Sequence, residues 1–462
     1  MVMDMLTRRE NMQIKMHCVT IEDLVPKDHF LRKLDASVDF TFVYDMMQDL
    51  YCENNGRPSI DPVMIEKYLL LGYLYGIYSE RRTQQEIDVN MAYKWFLGLD
   101  LDESAPDHST ISQNRRRRFN GKNLFRIMFE EVLRQCIEKG LVDGKVILTD
   151  STHVKANASS KKNIRVLVER ETTEYMERLE RYEAAEREKL ESEGKIKPKG
   201  PFRNNDDQSE LVARTTSTTD PDAGFLQRPG KPQGMHYLDH QSIDAKNGII
   251  VDVAVTPGNT NDVTPYLDRI EYMREKMCLP IEAVGVDSAY DVGLVHQELL
   301  ENSIEVYTPK NEDKSTYKVE FTRDDFRYDQ EADTLTCPAG NLLVLRRLQH
   351  GDYYVGRVYG SKSSDCNLCH LREKCLAPSQ RSRRVYINIF EYAFRRSHDK
   401  DGTPEHKRVL DLRQVWCEGT FAAQKARHKL RNLYRRGLEA AEDHCLLSAT
   451  AINLKRMVKC IG

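Results

Sequence analysis

Val146 to Ala158 reads VILTDSTHVKANA, and this stretch decides the fold. A short apolar run, Val146-Ile147-Leu148, has the signature of a buried strand and delivers a carboxylate, Asp150, before the sequence breaks into a polar turn. A carboxylate at such a tip faces a cleft while the strand behind it stays packed. Strand-end aspartates more often cap turns than hold ligands, so a second occurrence of the design carries the weight. Ile281 to Tyr290, IEAVGVDSAY, again runs Val284-Gly285-Val286 into an acid, Asp287. The expectation is two neighbouring strands of one sheet presenting two carboxylates to one site.

Two such acids suit hard divalent cations, which take several oxygens and keep positions open for substrate phosphate. Metal-assisted phosphoryl transfer calls for a third acid, and Glu418 is the candidate. It lies in Val409 to Gln424, where Val409, Leu412, Val415, Trp416 and Phe421 recur at roughly helical spacing and the small residues Cys417 and Gly419 flank the acid. Lys425, two turns on, shares its face and would meet a backbone phosphate beside a metal. The same pattern also fits a solvated glutamate on an amphipathic helix.

These residues carry a family resemblance. Asp150 in LTDSTHVKANAS, Asp287 in VGVDSAYD and Glu418 in CEGTFAAQKARHKLRNLYRRGLE resemble the three acids of the DDE transposases of bacterial insertion sequences. PDHSTISQNRRRRF (Pro106 to Phe119) resembles the end of their helical N-terminal domain, and STTDPDAGF (Ser217 to Phe225) and the segment Tyr237 to Val263 resemble core segments between the two aspartates. The likeness covers roughly residues 15 to 460. It implies an α/β fold: a ribonuclease H-like mixed sheet flanked by helices, holding two Mg²⁺ (Mn²⁺ substituting) on Asp150, Asp287 and Glu418. It also implies double-stranded DNA as partner, both transposon terminal inverted repeats and target, acted on by a homodimer or higher oligomer. One branch of the family sets a Tyr, an Arg, the Glu and a Lys at fixed spacings. Glu418 and Lys425 fit, but Gln414 stands where that pattern has Arg, and Arg413 is one place early. Two other readings stay open: a domesticated, non-catalytic DNA-binding protein, and a ribonuclease H-like endonuclease that cuts without joining.

With 462 residues, 40% hydrophobic and 31% charged, the chain has enough apolar side chains for two or three domains. Its net charge of −3 does not announce a nucleic-acid partner, so local clusters must supply the positive surface. No apolar N-terminal leader is visible, and the run Tyr68 to Tyr78 is too short to span a bilayer. A soluble, cytoplasmic protein is the expectation.

Four of the eleven cysteines, Cys337, Cys366, Cys369 and Cys375, share one segment as Cys-Pro, a long interval, Cys-x2-Cys and x5-Cys. That grouping reads as a four-thiolate site, structural zinc first, with an iron–sulfur cluster or free thiols as the alternatives. A glycine-rich insert with little core would need such a staple.

The domain plan places a helical DNA-binding domain at 1–142. The catalytic core takes 143–160, 211–310 and 400–462, a charged helical arm and loop 161–210, and the cysteine insert 311–399. In the first domain Asp61 caps a helix with Pro62 at its first position, Thr83 to Trp95 reads as a second, and Ser109 to Phe119 as a third, capped by Asp107 or Ser109. Arg115, Arg116, Arg117 and Arg118 on that third helix are DNA-contact candidates in a helix-turn-helix, against the plainer reading of a solvated face. Val166 to Glu193 is expected to form a long, largely solvated helix or helical hairpin arm serving as spacer or dimer contact, followed by a loop at 204–209. Lys246-Asn247-Gly248 is expected to turn between two strands. His236, His240 and Asp262 are candidates to support the site. Lys425, Arg427, Lys429, Arg431 and Arg435 gather the local positive charge, with Trp416 either stacking on a nucleotide or serving as core.

Overall fold

The computed structural model describes residues 16, 18–51, 59–77, 79–119, 121–159, 161–169, 172–197, 211–228, 233–309, 319–329 and 332–461. The expected loop 204–209, the end of the arm beyond 197, Tyr78 and the residues just before Ser59 lie outside them. The chain divides into two compact units, one reaching to Leu124 and one running from Phe125 to Cys460.

The first unit is helical: α1 (Ile21–Leu24), α2 (Phe30–Ser37), α3 (Phe42–Met47), α4 (Pro62–Tyr75), α5 (Glu80–Val89), α6 (Met91–Leu97) and α7 (His108–Asn114), which runs into a π turn, Arg115–Phe119. Asp61 caps α4 by accepting from the N–H groups of Val63 at 2.7 Å and Met64 at 3.2 Å, and Pro62 takes the first position, where no N–H is needed. Asp107 caps α7 through the Ser109 N–H. The single helix expected over Thr83 to Trp95 is instead two. Asn90 adopts extended backbone and its side chain accepts from Ala92 and Tyr93, so it ends α5 and caps α6.

Inside this unit Glu66, on α4, is 1% exposed and its Oε1 has no hydrogen-bond partner among the described residues. Burial pushes its carboxyl up to about 8, with Arg115 opposing. The folded pKa lies above the unfolded one, so the carboxyl folds with its proton. That contribution is complete below about pH 4.5 and is lost as pH rises toward 8. Glu66→Gln is therefore expected to gain on the order of 2–3 kcal/mol over the wild type at pH 8 and almost nothing at pH 4. Urea unfolding at both pH values, read from Trp95 fluorescence in a Trp416→Phe background, checks this.

The second unit opens with α8 (Leu124–Glu138) and continues through β1 (Val146–Lys155), β2 (Asn163–Glu169), α9 (Glu174–Ser192), β3 (Leu211–Ser217), β4 (Gly224–Leu226), β5 (Gly234–Asp244) and β6 (Ile250–Pro257). Then come α10 (Tyr266–Glu275), β7 (Ala283–Gly285), α11 (Gly293–Glu301) and β8 (Glu305–Tyr307). In the central sheet β1 is antiparallel to β5 on one side and parallel to β7 on the other. β8 extends the parallel side, and β6 and β4 share the outer edge of β5. Three antiparallel strands continued by two parallel ones form a ribonuclease H-like sheet. The turn after β5 closes at Gly248, whose φ of 73° suits glycine, and Asp244 N–H bonds Ile249 O at 2.8 Å.

Two expectations change here. β1 does not stop before Asp150 but pairs with β5 as far as Lys155; what ends at Leu148 is its pairing with β7. The supposed polar turn carries β-branched Thr149, Thr152 and Val154, which suit a pleated strand once β5 covers it. The long solvated helix is also corrected: its first residues, Val166 to Glu169, belong to β2 and pair with β3. The remainder, α9, buries Tyr175, Leu179 and Leu190, while Arg178 ion-pairs with Asp268, Glu271 and Glu298, and Glu186 with Arg357. Those pairs tie it to neighbouring elements, while Glu174, Glu177, Glu180, Arg181, Glu188 and Lys189 stay exposed.

The insert contains β9 (Arg327–Asp329), β10 (Thr334–Thr336), β11 (Leu342–Gly351), β12 (Tyr354–Gly360), α12 (Ser363–Asn367), α13 (Arg372–Cys375) and β13 (Arg384–Asn388). Its strands form one antiparallel sheet, with Phe326, Leu335, Leu343, Tyr359, Val385 and Ile387 buried together. It therefore has a core of its own, which its glycines had not suggested. The chain closes with α14 (Glu391–His398), α15 (Pro404–Arg413), a π turn (Gln414–Glu418), α16 (Gly419–Arg427) and α17 (Leu438–Ile461). Among the described residues no helix is long and apolar enough to cross a membrane.

Candidate active site

Leu148 on β1 lies opposite Gly285 on the parallel β7. Asp150 and Asp287 each follow two residues later, so the period of two sends both carboxylates the same way from strands about 4.8 Å apart. Asp287 leaves β7 to cap a short 3₁₀ turn, Ser288–Tyr290, accepting from the Ala289 N–H at 2.8 Å. Asp150 accepts from its neighbour's N–H, Ser151, at 2.8 Å and from Arg413 Nη1 at 3.0 Å.

Both carboxyls are pushed above their ordinary range. Burial is the main cause at Asp150, opposed by Arg413 and reinforced by Asp287. At Asp287 burial again leads, the Ala289 N–H and Arg413 oppose it, and Asp262 adds to the rise. Half-buried acids that repel one another are stabilised by a cation between them, so the residues fit a hard divalent ion. Asp262 is buried and accepts from the Ser151 hydroxyl, which makes it a support for β1 at this point. Tyr290 is a feature that sequence reading missed: its fully buried hydroxyl has no hydrogen-bond partner among the described residues and lies in the field of Asp262, Asp287 and Asp150. His236 bonds within its own strand, to Gly234 O, and His240 ties β5 to β6 through the Thr256 hydroxyl, each at 2.9 Å.

Glu418 is exposed, and among the described residues no hydrogen bond or ion pair joins it to either aspartate. The π turn that carries it, Gln414–Glu418, packs against β1. The π turn explains the spacing. In an α-helix, residues five apart sit about 140° apart around the axis. A π turn closes one residue later, so Arg413 and Glu418 come back toward one side. The extra residue that put Arg413 out of step is absorbed there, and Arg413 reaches Asp150. Trp416 takes the core role: its Nε1 donates to Ala245 O at 3.2 Å and its ring covers Gly248.

α15 approaches the sheet over Gly285. A Cβ there would lie 2.7 Å from Val409 Cγ1 and 2.9 Å from Leu148 Cδ2. Gly285→Ala is expected to cost about 1–3 kcal/mol by overpacking and to push Arg413 away from Asp150. Thermal unfolding checks it, with Val409→Ala added to the same chain recovering most of the loss.

Residues 19–117 match the family model of a transposase domain (DUF772), and residues 336–458, which include Glu418, match that of a transposase DDE domain. Both are models of transposases, and they indicate a DDE transposase. No curated protein matches it. Among solved structures it is similar to a piggyBac transposase synaptic complex with hairpin DNA, at 8% identity over 94% of this chain and 74% of that one, TM-score 0.36. It is also similar to the Mos1 transposase paired-end complex with left transposon end, at 10% identity over 55% and 61%, TM-score 0.17.

In this transposase Lys425 donates to the Thr152 hydroxyl, two residues beyond Asp150 on the same face of β1. The following basic segment runs beside the end of that strand: Lys155 N–H bonds Arg431 O at 3.0 Å, and Leu433 N–H bonds Lys155 O at 2.9 Å. Arg427 and Arg431 are exposed, Lys429 covers the Tyr434 ring, and Arg435 pairs with Asp443 at 2.7 Å. In the helical unit Arg116 and Arg117 are exposed, Arg118 lies over the Tyr51 ring, and Arg115 is held by Glu80 at 2.8 Å.

The four insert cysteines line one cavity of about 20 Å³, room for a single ion or water. Cys337 and Cys369 accept from the N–H groups of Asn341 at 3.3 Å and Leu371 at 3.4 Å, and Cys366 lies 3.0 Å from the Ser361 hydroxyl. These donors suit thiolates. Their sulfurs are spread more widely than the 4.8 Å that encloses three donor atoms elsewhere in this unit.

Proposed function

We propose that this transposase cleaves DNA at the ends of its element and joins the freed 3′ ends to target DNA, using Asp150, Asp287 and Glu418 as ligands for two Mg²⁺. The observation that carries the reading is the pair of aspartates two residues beyond the last paired positions of adjacent parallel strands, with Arg413 fastened to one of them. When bound, the two ions supply activation of the attacking oxygen and charge stabilisation at the leaving oxygen. Asp150 and Asp287 supply the negative charge that holds them, and Arg413 keeps Asp150 oriented until a phosphate competes for its guanidinium. Lys425, held at Thr152, grips the backbone phosphate next to the reacting one. Arg116, Arg117, Arg427 and Arg431 are exposed and act as non-specific phosphate contacts, and the protein works on paired ends as at least a dimer. Zinc on Cys337, Cys366, Cys369 and Cys375 holds the insert together.

The test is a supercoiled plasmid carrying the element's terminal repeats, incubated with protein and Mg²⁺. Cleavage at the repeats with joined products supports the proposal. Cleavage without joined products favours an endonuclease, and binding without cleavage favours a non-catalytic DNA-binding protein.

A further inference from the structure

Four residues after Asp287, outside the carboxylate site, Asp291 lies between two histidines. Its Oδ1 is 3.0 Å from His296 Nε2 on α11 and 2.9 Å from His398 Nε2 at the end of α14. One donor atom from each of the three residues falls within 4.8 Å of the others, the only such group among the described residues. The side chains of Asp291 and His296 are fully buried and that of His398 is 9% exposed. Phe394 packs against both imidazoles, with ring centroids 5.1 and 4.6 Å away.

The outer nitrogens decide what the inner ones can do. His398 Nδ1 faces Asp401 Oδ2 at 2.9 Å, and a carboxylate only accepts, so Nδ1 carries the hydrogen. His296 Nδ1 faces the Ser397 hydroxyl at 2.9 Å, and when that hydroxyl donates to Ala393 O at 3.2 Å this Nδ1 is also the donor. With both Nδ1 atoms donating and both rings neutral, the two Nε2 lone pairs point at the same carboxylate oxygen. Three lone pairs converging in a buried space repel unless two extra protons or one cation lie between them. Imidazoles that donate outward through one nitrogen and turn the other inward have the arrangement of metal ligands with their supporting shell.

We propose that Asp291, His296 and His398 bind a structural transition-metal cation, zinc by preference. Two imidazole nitrogens and one carboxylate select a borderline ion over Mg²⁺ or Ca²⁺, and the enclosure excludes substrate. The cation ties the turn that begins at Asp287 to α14, so it steadies one active-site acid from behind.

Metal content of the purified full-length chain, with Co²⁺ substitution as a second readout, tests this independently of catalysis and of the cysteine site. His398→Gln and His296→Gln are each expected to lower bound zinc by one per chain while the sulfur-to-cobalt absorption of the cysteines persists. His398→Cys exchanges one ligand for another, so it is expected to keep the metal and add a sulfur-to-cobalt band. Unchanged zinc in both glutamine variants overturns the proposal, as does His398→Cys without the new band.

Discussion

Asp287→Asn is expected to reduce Mg²⁺-dependent DNA cleavage by about a thousandfold or more while leaving DNA affinity at fixed salt within about twofold. An asparagine oxygen can still accept from the Ala289 N–H, so the 3₁₀ turn stays formed and only the charge is lost. That charge is what the neighbouring acids make costly and what a divalent ion needs. Losing a ligand interaction worth several kcal/mol corresponds to about three decades of rate. Asp150→Asn should show the same loss, but it also leaves Arg413 facing a neutral group, so reduced stability would accompany it. Filter binding and plasmid cleavage on the same preparation separate the two effects. An Asp287→Asn protein that cuts at the wild-type rate would remove Asp287 from the mechanism.

Cys366→Ser is expected to release one zinc per chain and to open the segment between β12 and β13 to proteolysis. This segment has few buried groups of its own; α12 and α13 contain no buried residue, and Leu376 beside them is the main apolar anchor. β11 and β12 are instead held by the core around Leu343 and Tyr359, so they should keep their hydrogen-exchange protection. Structural zinc supplies folding energy directly to the loops it closes, and removing one thiolate forfeits most of it. Unchanged zinc content with an intact 363–384 segment would show that the cysteines are ordinary free thiols.

The two aspartates were legible because each follows an apolar run of the same design, and parallel neighbours in register convert that likeness into proximity. Strand length was less legible. Thr149 to Lys155 looks like a turn until β5, some ninety residues away, covers it, and Val166 to Glu169 looks helical until β3 pairs with it. In both cases a distant partner overrides the local pattern. Arg413 was displaced by one position in a count that assumes α-helical geometry throughout, and the π turn that corrects the count leaves no mark in residue type. Asn90 did leave one, since asparagine before an apolar run is a helix start, but an uninterrupted helical period masked it. The Asp291, His296 and His398 cluster has no compact spacing at all. Only the packing of α11 on α14 brings it together.

The most direct test is a crystal of the transposase on its own transposon-end DNA, grown in Mn²⁺ and measured for anomalous scattering. Two manganese peaks about 4 Å apart between Asp150 and Asp287, with the Glu418 carboxylate drawn in to ligate one of them, are the predicted result. Manganese on the aspartates with Glu418 still turned to solvent, or no manganese between them, would contradict it.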